Sequence, residues 1–323
     1  MPVIIKAVSL PVIAIVVPCF NEEQALPITS KKLLEVLDQM AADNLVSPDS
    51  FVLCCDDGSH DNTWGVIETL HRADHRIKGI ALAHNRGHQY ALLAGLMTVR
   101  GKCDAAISID ADLQDDVDAM TQMVKEFHNG CEIVFGVRAS RKTDSWFKRT
   151  TARGFYSLQK RMGLDTIYDH ADYRLMSARA LDILDEYKES NLFLRGIIPQ
   201  IGLKTAVVKY DRHERVAGES KYPLKKMLSF SIDGITSFSS KPIRFILLLG
   251  VMLFVLDIVM SVYVFIAYFG HSAIPGWASL MLSIWFIGSL ILIGLGVVGE
   301  YIGKIFVEVK QRPRYNIKDC LID

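Results

Sequence analysis

The sequence predicts an α/β domain built on a largely parallel sheet with flanking helices, followed by an interfacial helix and two transmembrane helices. Three observations carry that expectation. Short apolar runs alternate with helical patterns up to about residue 223, acidic clusters follow several of those runs, and two long apolar stretches begin after Ile243. Lys plus Arg and Asp plus Glu both total 36 in a chain of 323 residues, so net charge points to no nucleic-acid partner.

The runs Val12–Val17, Phe51–Cys55, Ile77–Leu82, Ala105–Ile109 and Ile133–Val137 have the apolar continuity of buried parallel strands. Helical patterns lie between them, at about Glu23–Met40, Thr63–Ala73, Gln89–Arg100 and Asp115–Asn129. The N-terminal stretch, with Lys6 and Pro11, is too short to span a membrane and reads as the lead into the first strand. Six cysteines occur without a CxxC pair, most within apolar segments, which predicts buried thiols in a reducing compartment.

Leu224, Met227, Leu228, Ile232, Ile235 and Phe238 repeat at helical spacing beside Lys225 and Lys226, the pattern of a helix lying in the headgroup plane over 224–242. Phe245–Phe269 then holds 17 Leu, Ile, Phe and Val residues and one charge, Asp257. That carboxylate costs about 2.5–3.5 kcal/mol at a bilayer centre, whereas each large apolar residue returns about 0.3–0.6 kcal/mol, so the span survives. Ala278–Gly299 is a second stretch without charge. The link over 270–277 lacks Lys and Arg, whereas Lys241 and Arg244 precede the first span and Lys304, Lys310, Arg312, Arg314 and Lys318 follow the second. The positive-inside rule therefore predicts a membrane protein with both termini, and so the large domain, cytoplasmic. The expected division is a domain over 1–223, the interfacial helix over 224–242, two spans within 243–300 and a cytoplasmic tail over 301–323. Asp257 has no cation in the second span to meet, which points to an assembly role or to a protonated carboxyl.

Ligands of open parallel sheets bind at the carboxyl ends of strands. Here those ends carry Pro18-Cys19-Phe20-Asn21-Glu22-Glu23, Asp56-Asp57-Gly58-Ser59-His60-Asp61 and Asp110-Ala111-Asp112-Leu113-Gln114-Asp115. No GxGxxG follows the first strand and no GxxxxGK[ST] occurs, which argues against dehydrogenase and P-loop chemistry. Strand-end carboxylates suit a diphosphate held through Mg²⁺ or Mn²⁺, which stabilises a leaving group as a Lewis acid. Asp110 and Asp112, two apart on an extended segment, would share one side, with Gln114 continuing the parity. Asp115 and Asp116 read as helix N-terminal residues.

Together VVPCFNEE (16–23), DDGSHDNT (56–63), NRGHQYALLAGL (85–96) and SIDADLQDD (108–116) resemble the family 2 inverting glycosyltransferases of GT-A fold. DYRLMS (172–177), FLRGI (193–197), RVAGESKYPLKKM (215–227), GITSFSSKPIR (234–244) and GEYIGKIFVEVKQRPRY (299–315) are similar to bacterial bactoprenol-phosphate glucosyltransferases and, more distantly, dolichol-phosphate mannose synthases. The resemblance implies that Pro18, Phe20, Glu22 and Asp56 border the nucleotide and that Asp110, Asp112 and Gln114 surround metal and diphosphate. It implies that Arg138 reaches the active centre, that Asp172 and Arg174 lie where sugar and acceptor meet, and that Arg215, Ser220 and Lys221 lie near a phosphate. Ala171 departs from the glycine usual in the bacterial subgroup, and Asp169-His170 matches no assigned pattern. Arg149 and Arg153, an i,i+4 pair among aromatics, suit a lipid phosphate at the headgroup layer.

The expected reaction is inverting transfer of a hexose, glucose favoured, from a UDP-sugar to polyprenyl (undecaprenyl) phosphate by a homo-oligomeric enzyme. An N-acetylhexosamine or mannose is the alternative sugar. A processive polysaccharide synthase is disfavoured by the absence of QxxRW, and a non-catalytic scaffold by the complete set of acidic motifs.

Overall fold

The computed structural model describes residues 10–138, 170–189, 193–211 and 276–322, with four isolated helical positions at 246, 252, 255 and 259. These fall into two units, one comprising the described residues up to 211 plus 313–322, the other the described residues from 246 to 312.

The first unit is an eight-stranded sheet in the order β7-β5-β6-β4-β1-β2-β3-β8. Its strands are β1 (Ile13–Cys19), β2 (Phe51–Asp56), β3 (Ile77–Leu82), β4 (Ala105–Ser108), β5 (Ile133–Arg138), β6 (His170–Ser177), β7 (Thr205–Tyr210) and β8 (Ile317–Leu321). β1 pairs in parallel with β2 and β4, β2 with β3, and β5 with β7. β6 runs antiparallel between β4 and β5, and β8 runs antiparallel along β3. The five anticipated strands are all present, and the sheet is largely parallel as expected.

Around the sheet lie α1 (Leu26–Ala42), α2 (Thr63–Ala73), α3 (His88–Val99), α4 (Ala119–His128), α5 (Ala178–Glu186) and the short α6 (Leu194–Ile197). β1 is buried at all seven positions, as a central strand covered on both faces must be. α3 is apolar nearly all round and buries seven residues, so it packs as an interior helix. Gly95 permits this approach, since a Cβ there would lie 2.4 Å from both Cys55 Sγ and Val16 Cγ1. β6 passes directly into α5 because the Ser177 hydroxyl accepts from Ala180 N at 3.0 Å and caps the helix. Cys19, Cys54, Cys55 and Cys131 are buried free thiols.

Two expectations are corrected. α4 begins at Ala119, so Asp115 and Asp116 precede the helix, and Asp115 is buried rather than part of an exposed first turn. β4 stops at Ser108, Ala111 and Asp112 lie in a turn, and Leu113 has φ 51°. The alternation argument for Asp110 and Asp112 therefore does not apply, because that segment is not extended. The tail adds a further finding, since its residues 317–321 are a sheet strand.

The second unit contains α7 (Trp277–Lys310), 34 residues or about 51 Å long. It includes the second expected span and continues eleven residues beyond it. Its stretch Phe286–Lys310 has mean hydropathy 1.9 and no buried share, and it is the one helix among the described residues long and apolar enough to cross a membrane. Lys310 Nζ sits 3.9 Å from the centre of the Phe306 ring at the helix end, where Gln311 turns left-handed. Met252, Val255 and Val259 of the first expected span are helical and exposed, while the rest of that span and the expected interfacial helix lie outside the described residues.

Candidate active site

The loops after β1 and β2 are laced together. Asn21 N donates to Ser59 Oγ at 2.9 Å, and Asn21 Oδ1 accepts from His60 N at 2.8 Å. Glu22 N donates to Thr63 Oγ1 at 2.9 Å, and Glu23 Oε2 accepts from Asn62 N at 3.0 Å. β1 thus ends at Pro18-Cys19, with Cys19 paired to Asp56, the last residue of β2, and Phe20 and Glu22 follow in the loop. Phe20 is half-exposed with its ring edge-on to His60, 6.0 Å between centroids. Asp56 is buried and accepts from the Ser59 amide and hydroxyl; burial raises its carboxyl above the usual range against the pull of those bonds.

Asp57, also buried, accepts from Arg86 N at 2.7 Å and Gly87 N at 2.8 Å. Gly58 closes this corner with φ +66°, and a Cβ there would stand 2.7 Å from Asn85 N, so only glycine fits without strain. The loop fixed in this way delivers His88 at the start of α3. His88 Nε2 lies 3.5 Å from Asp110 Oδ1 and 3.6 Å from Asp172 Oδ2. Burial works to lower the His88 pKa, but its hydrogen bond to Asp172 and the two carboxylate charges outweigh it and raise it.

Asp172 enters from β6, whose Arg174 stands opposite Ser108 at the end of β4. The Ser108 hydroxyl donates to the Asp172 carbonyl. Arg174, 1% exposed, donates to Asp172 Oδ1, and Arg195 of α6 spans both carboxylate oxygens, Nε to Oδ1 at 3.2 Å and Nη2 to Oδ2 at 2.9 Å. Burial would raise the Asp172 carboxyl, yet Arg195, His88 and Arg174 together hold it well below the ordinary carboxylate range. Asp110 keeps 42% of its side chain open, and loss of hydration together with Asp172, Asp115 and Asp112 raises its pKa despite His88. Asp112 Oδ1 accepts from Gln114 N at 3.1 Å within the turn. Among the described residues, no group of three or more His, Cys, Asp or Glu is arranged to hold a metal ion.

Arg138, at the end of β5, pairs with Asp115 Oδ1 at 3.2 Å, and that same oxygen accepts from Tyr210 Oη at 2.7 Å. Tyr173 Oη reaches the Asp116 carbonyl at 2.9 Å. The structure therefore brings Asp110, Asp172 and Arg174 into one linked cluster and sets Arg138 in a second one with Asp115. Arg149, Arg153, Arg215, Ser220 and Lys221 lie outside the described residues. His88, Arg195, Asp57 and Tyr210 carried no anticipated role, and Asp115 was expected only at a helix N-terminus. His88 and Arg195 do lie within the segments NRGHQYALLAGL and FLRGI, and those motifs were the available signal.

A largely parallel sheet with acidic strand ends and a guarded carboxylate beyond them has the architecture of an α/β enzyme. The sequence matches the glycosyl transferase family 2 profile over residues 14–184, and the chain belongs to that family. It is a glycosyltransferase with the α/β GT-A fold. The chain is 55% identical over 310 residues to a Bacillus subtilis protein named uncharacterized glycosyltransferase YkoT, covering 96% of this chain and 92% of that one. It is 36% identical over 309 residues to the prophage bactoprenol glucosyl transferase homolog of Escherichia coli, covering 95% and 98%. The SfII prophage-derived bactoprenol glucosyl transferase of Shigella flexneri is 37% identical over 309 residues, covering 95% and 97%. Among solved structures, mannosyl-3-phosphoglycerate synthase from Rubrobacter xylanophilus superposes with TM-score 0.47 at 16% identity, over 69% of this chain and 71% of that one.

Proposed function

We propose that this chain transfers a hexose, glucose favoured, from a UDP-sugar to a polyprenyl phosphate such as undecaprenyl phosphate, with inversion at the anomeric carbon. The observation that carries this reading is the Asp172 corner. A carboxylate held ionised by two guanidiniums, beside the open Asp110, serves an anionic acceptor better than a neutral hydroxyl that needs a base. The relatives named bactoprenol glucosyl transferase, which this chain matches along nearly its whole length, support the same acceptor and sugar.

A phosphate monoester has its second pKa near 6 and is mostly dianionic at neutral pH. Its oxygen attacks the anomeric carbon, the bond from that carbon to the donor's β-phosphate oxygen breaks, and the nucleoside diphosphate leaves. Asp172 then acts as a fixed orienting charge, and little proton transfer is required. Pro18, Phe20, Glu22 and Asp56 would border the nucleotide. Arg149, Arg153, Arg215, Ser220 and Lys221 would receive the lipid phosphate.

Asp110, Asp112 and Gln114, which the resemblance to family 2 glycosyltransferases sets around metal and diphosphate, would hold a divalent ion. Mg²⁺ and Mn²⁺ are commonly bound through one or two carboxylates plus substrate phosphates. Such an ion would supply charge stabilisation to the departing diphosphate. In this reading α7 and the 245–269 stretch anchor the enzyme in the inner membrane with the catalytic domain cytoplasmic, the protein associating through its spans as a homo-oligomer.

Incubating the purified protein with a panel of nucleotide sugars and undecaprenyl phosphate tests the proposal. Glycosyl-phosphoryl-undecaprenol should form from UDP-glucose with Mg²⁺ or Mn²⁺ and cease in excess EDTA. Asp112→Ala should abolish it while the protein still folds. Undiminished turnover of that variant in EDTA would remove the metal assignment, and product from an N-acetylhexosamine or mannose donor alone would reassign the sugar.

A further inference from the structure

Arg195 lies beyond the 14–184 segment that matches the family profile. Its place is nonetheless built. Gln89 Oε1, one residue after His88, accepts from Leu194 N at 3.0 Å and locks the start of α6 to the start of α3. From that position Arg195 spans both oxygens of Asp172. Asp172 is held from two sides, by a wholly buried Arg174 and by Arg195, which keeps 39% of its side chain open. Nε and Nη1 of Arg174 have no partner among the described residues, so its burial is compensated through Asp172.

The charge balance turns on Arg195. Asp172 with Arg174 alone sums to zero, and a dianionic phosphate approaching it would meet the negative end of that pair. Asp110, joined to Asp172 through His88, adds a second negative charge, and Arg195 restores the balance, two guanidiniums against two carboxylates.

We propose that Arg195 is a positioning residue for the acceptor, acting through Asp172 by fixing its carboxylate and cancelling the net negative charge that an incoming phosphate would otherwise meet. The inference rests on a phosphorylated acceptor, as proposed above. It extends that reading by assigning acceptor selection to a residue with no previously expected role.

The test uses the full-length protein in phospholipid nanodiscs with UDP-glucose and undecaprenyl phosphate. Arg195→Ala should lower kcat/KM for the acceptor about 100-fold, the loss typical of one preorganised charged donor. The KM for the nucleotide sugar should stay within about twofold. Millimolar guanidinium should restore part of the lost turnover, and Arg195→Lys, which keeps charge but not the fork, should recover only part. Arg179→Ala, which removes a surface pair with Glu132, serves as the unchanged control. Equal loss in donor and acceptor terms without guanidinium rescue, or an unchanged acceptor kcat/KM, would overturn the assignment. A wild type that transfers no sugar from the panel to a polyprenyl phosphate would overturn the underlying reading instead, so the two failures separate.

Discussion

At the scale of single residues, three side chains hold Asp172 ionised: Arg195 across both oxygens, Arg174 on Oδ1 and His88 beside Oδ2. The presence of Asp172 in DYRLMS marked it as chemically important, but its charge state depends on Arg195, His88 and Arg174, which come from three different elements. Such pairings are tertiary, and no spacing along the chain encodes them. The strand-end acids were legible because the ends of parallel strands are fixed by topology. Asp115 was misread because an acid shortly before a helix fits a first turn equally well, and only the fold places Tyr210 and Arg138 on it. The depressed pKa of Asp172 has a definite sign. Its contribution is complete above the ordinary carboxylate value and is lost only as pH falls through the still lower folded value. Asp172 therefore stays ionised throughout the range from pH 5 to 8, on the order of which such assays are run. The acid limb of kcat/KM for the acceptor should follow the acceptor's own second ionisation, near pH 6. Replacing the phosphate with a phosphonate, whose second ionisation lies higher, should move that limb upward. A limb that stays in place would transfer the titration to the enzyme.

At the scale of elements, the strands that the sequence pattern revealed were the buried ones, whose continuous apolar runs stand out. β6, β7 and β8 were not anticipated as strands, and two of these lie at sheet edges, where exposure mixes polar residues into the pattern. β8 is the most consequential of the three. Its pairing with β3 continues through Ala83 N to the Asn316 carbonyl at 2.9 Å, at the entrance to the loop that carries Arg86, Gly87 and His88. Lys78 Nζ holds the Ile322 carbonyl at 3.0 Å, and Arg314 donates to the Tyr187 carbonyl at the end of α5. The C-terminal strand therefore buttresses the segment leading to His88. Deleting residues 313–323 should lower the thermal midpoint by about 5 °C or more and depress transfer. A synthetic peptide covering 313–322 should restore part of both by strand addition. Full activity in the truncated protein would show that the loop holds its shape without β8.

At the scale of the whole molecule, the domain and the apolar C-terminal part were separable in the sequence because their hydropathy differs so sharply. Composition alone located α7, although the helix runs to Lys310 and the charge-free stretch ends at Gly299. The orientation argument rests on charge: Lys and Arg flank the apolar stretches on the outer sides, and the 270–277 link has neither. The cysteines provide a natural reporter. Cys320 is exposed, Cys103 is intermediate, and Cys19, Cys54, Cys55 and Cys131 are buried. A membrane-impermeant maleimide applied to intact cells should therefore leave the native chain unlabelled if the sheet bearing Cys320 is cytoplasmic. Permeabilising the cells should expose Cys320, and Cys320→Ser should remove most of that signal. Ser272→Cys, placed in the link, should label without permeabilisation. The two positions flank α7, so a crossing by α7 puts them on opposite faces, and equal accessibility of the two would show that α7 does not cross. Labelling of Cys320 from outside would invert the topology and place the nucleotide-sugar site on the wrong side of the membrane for a cytoplasmic donor.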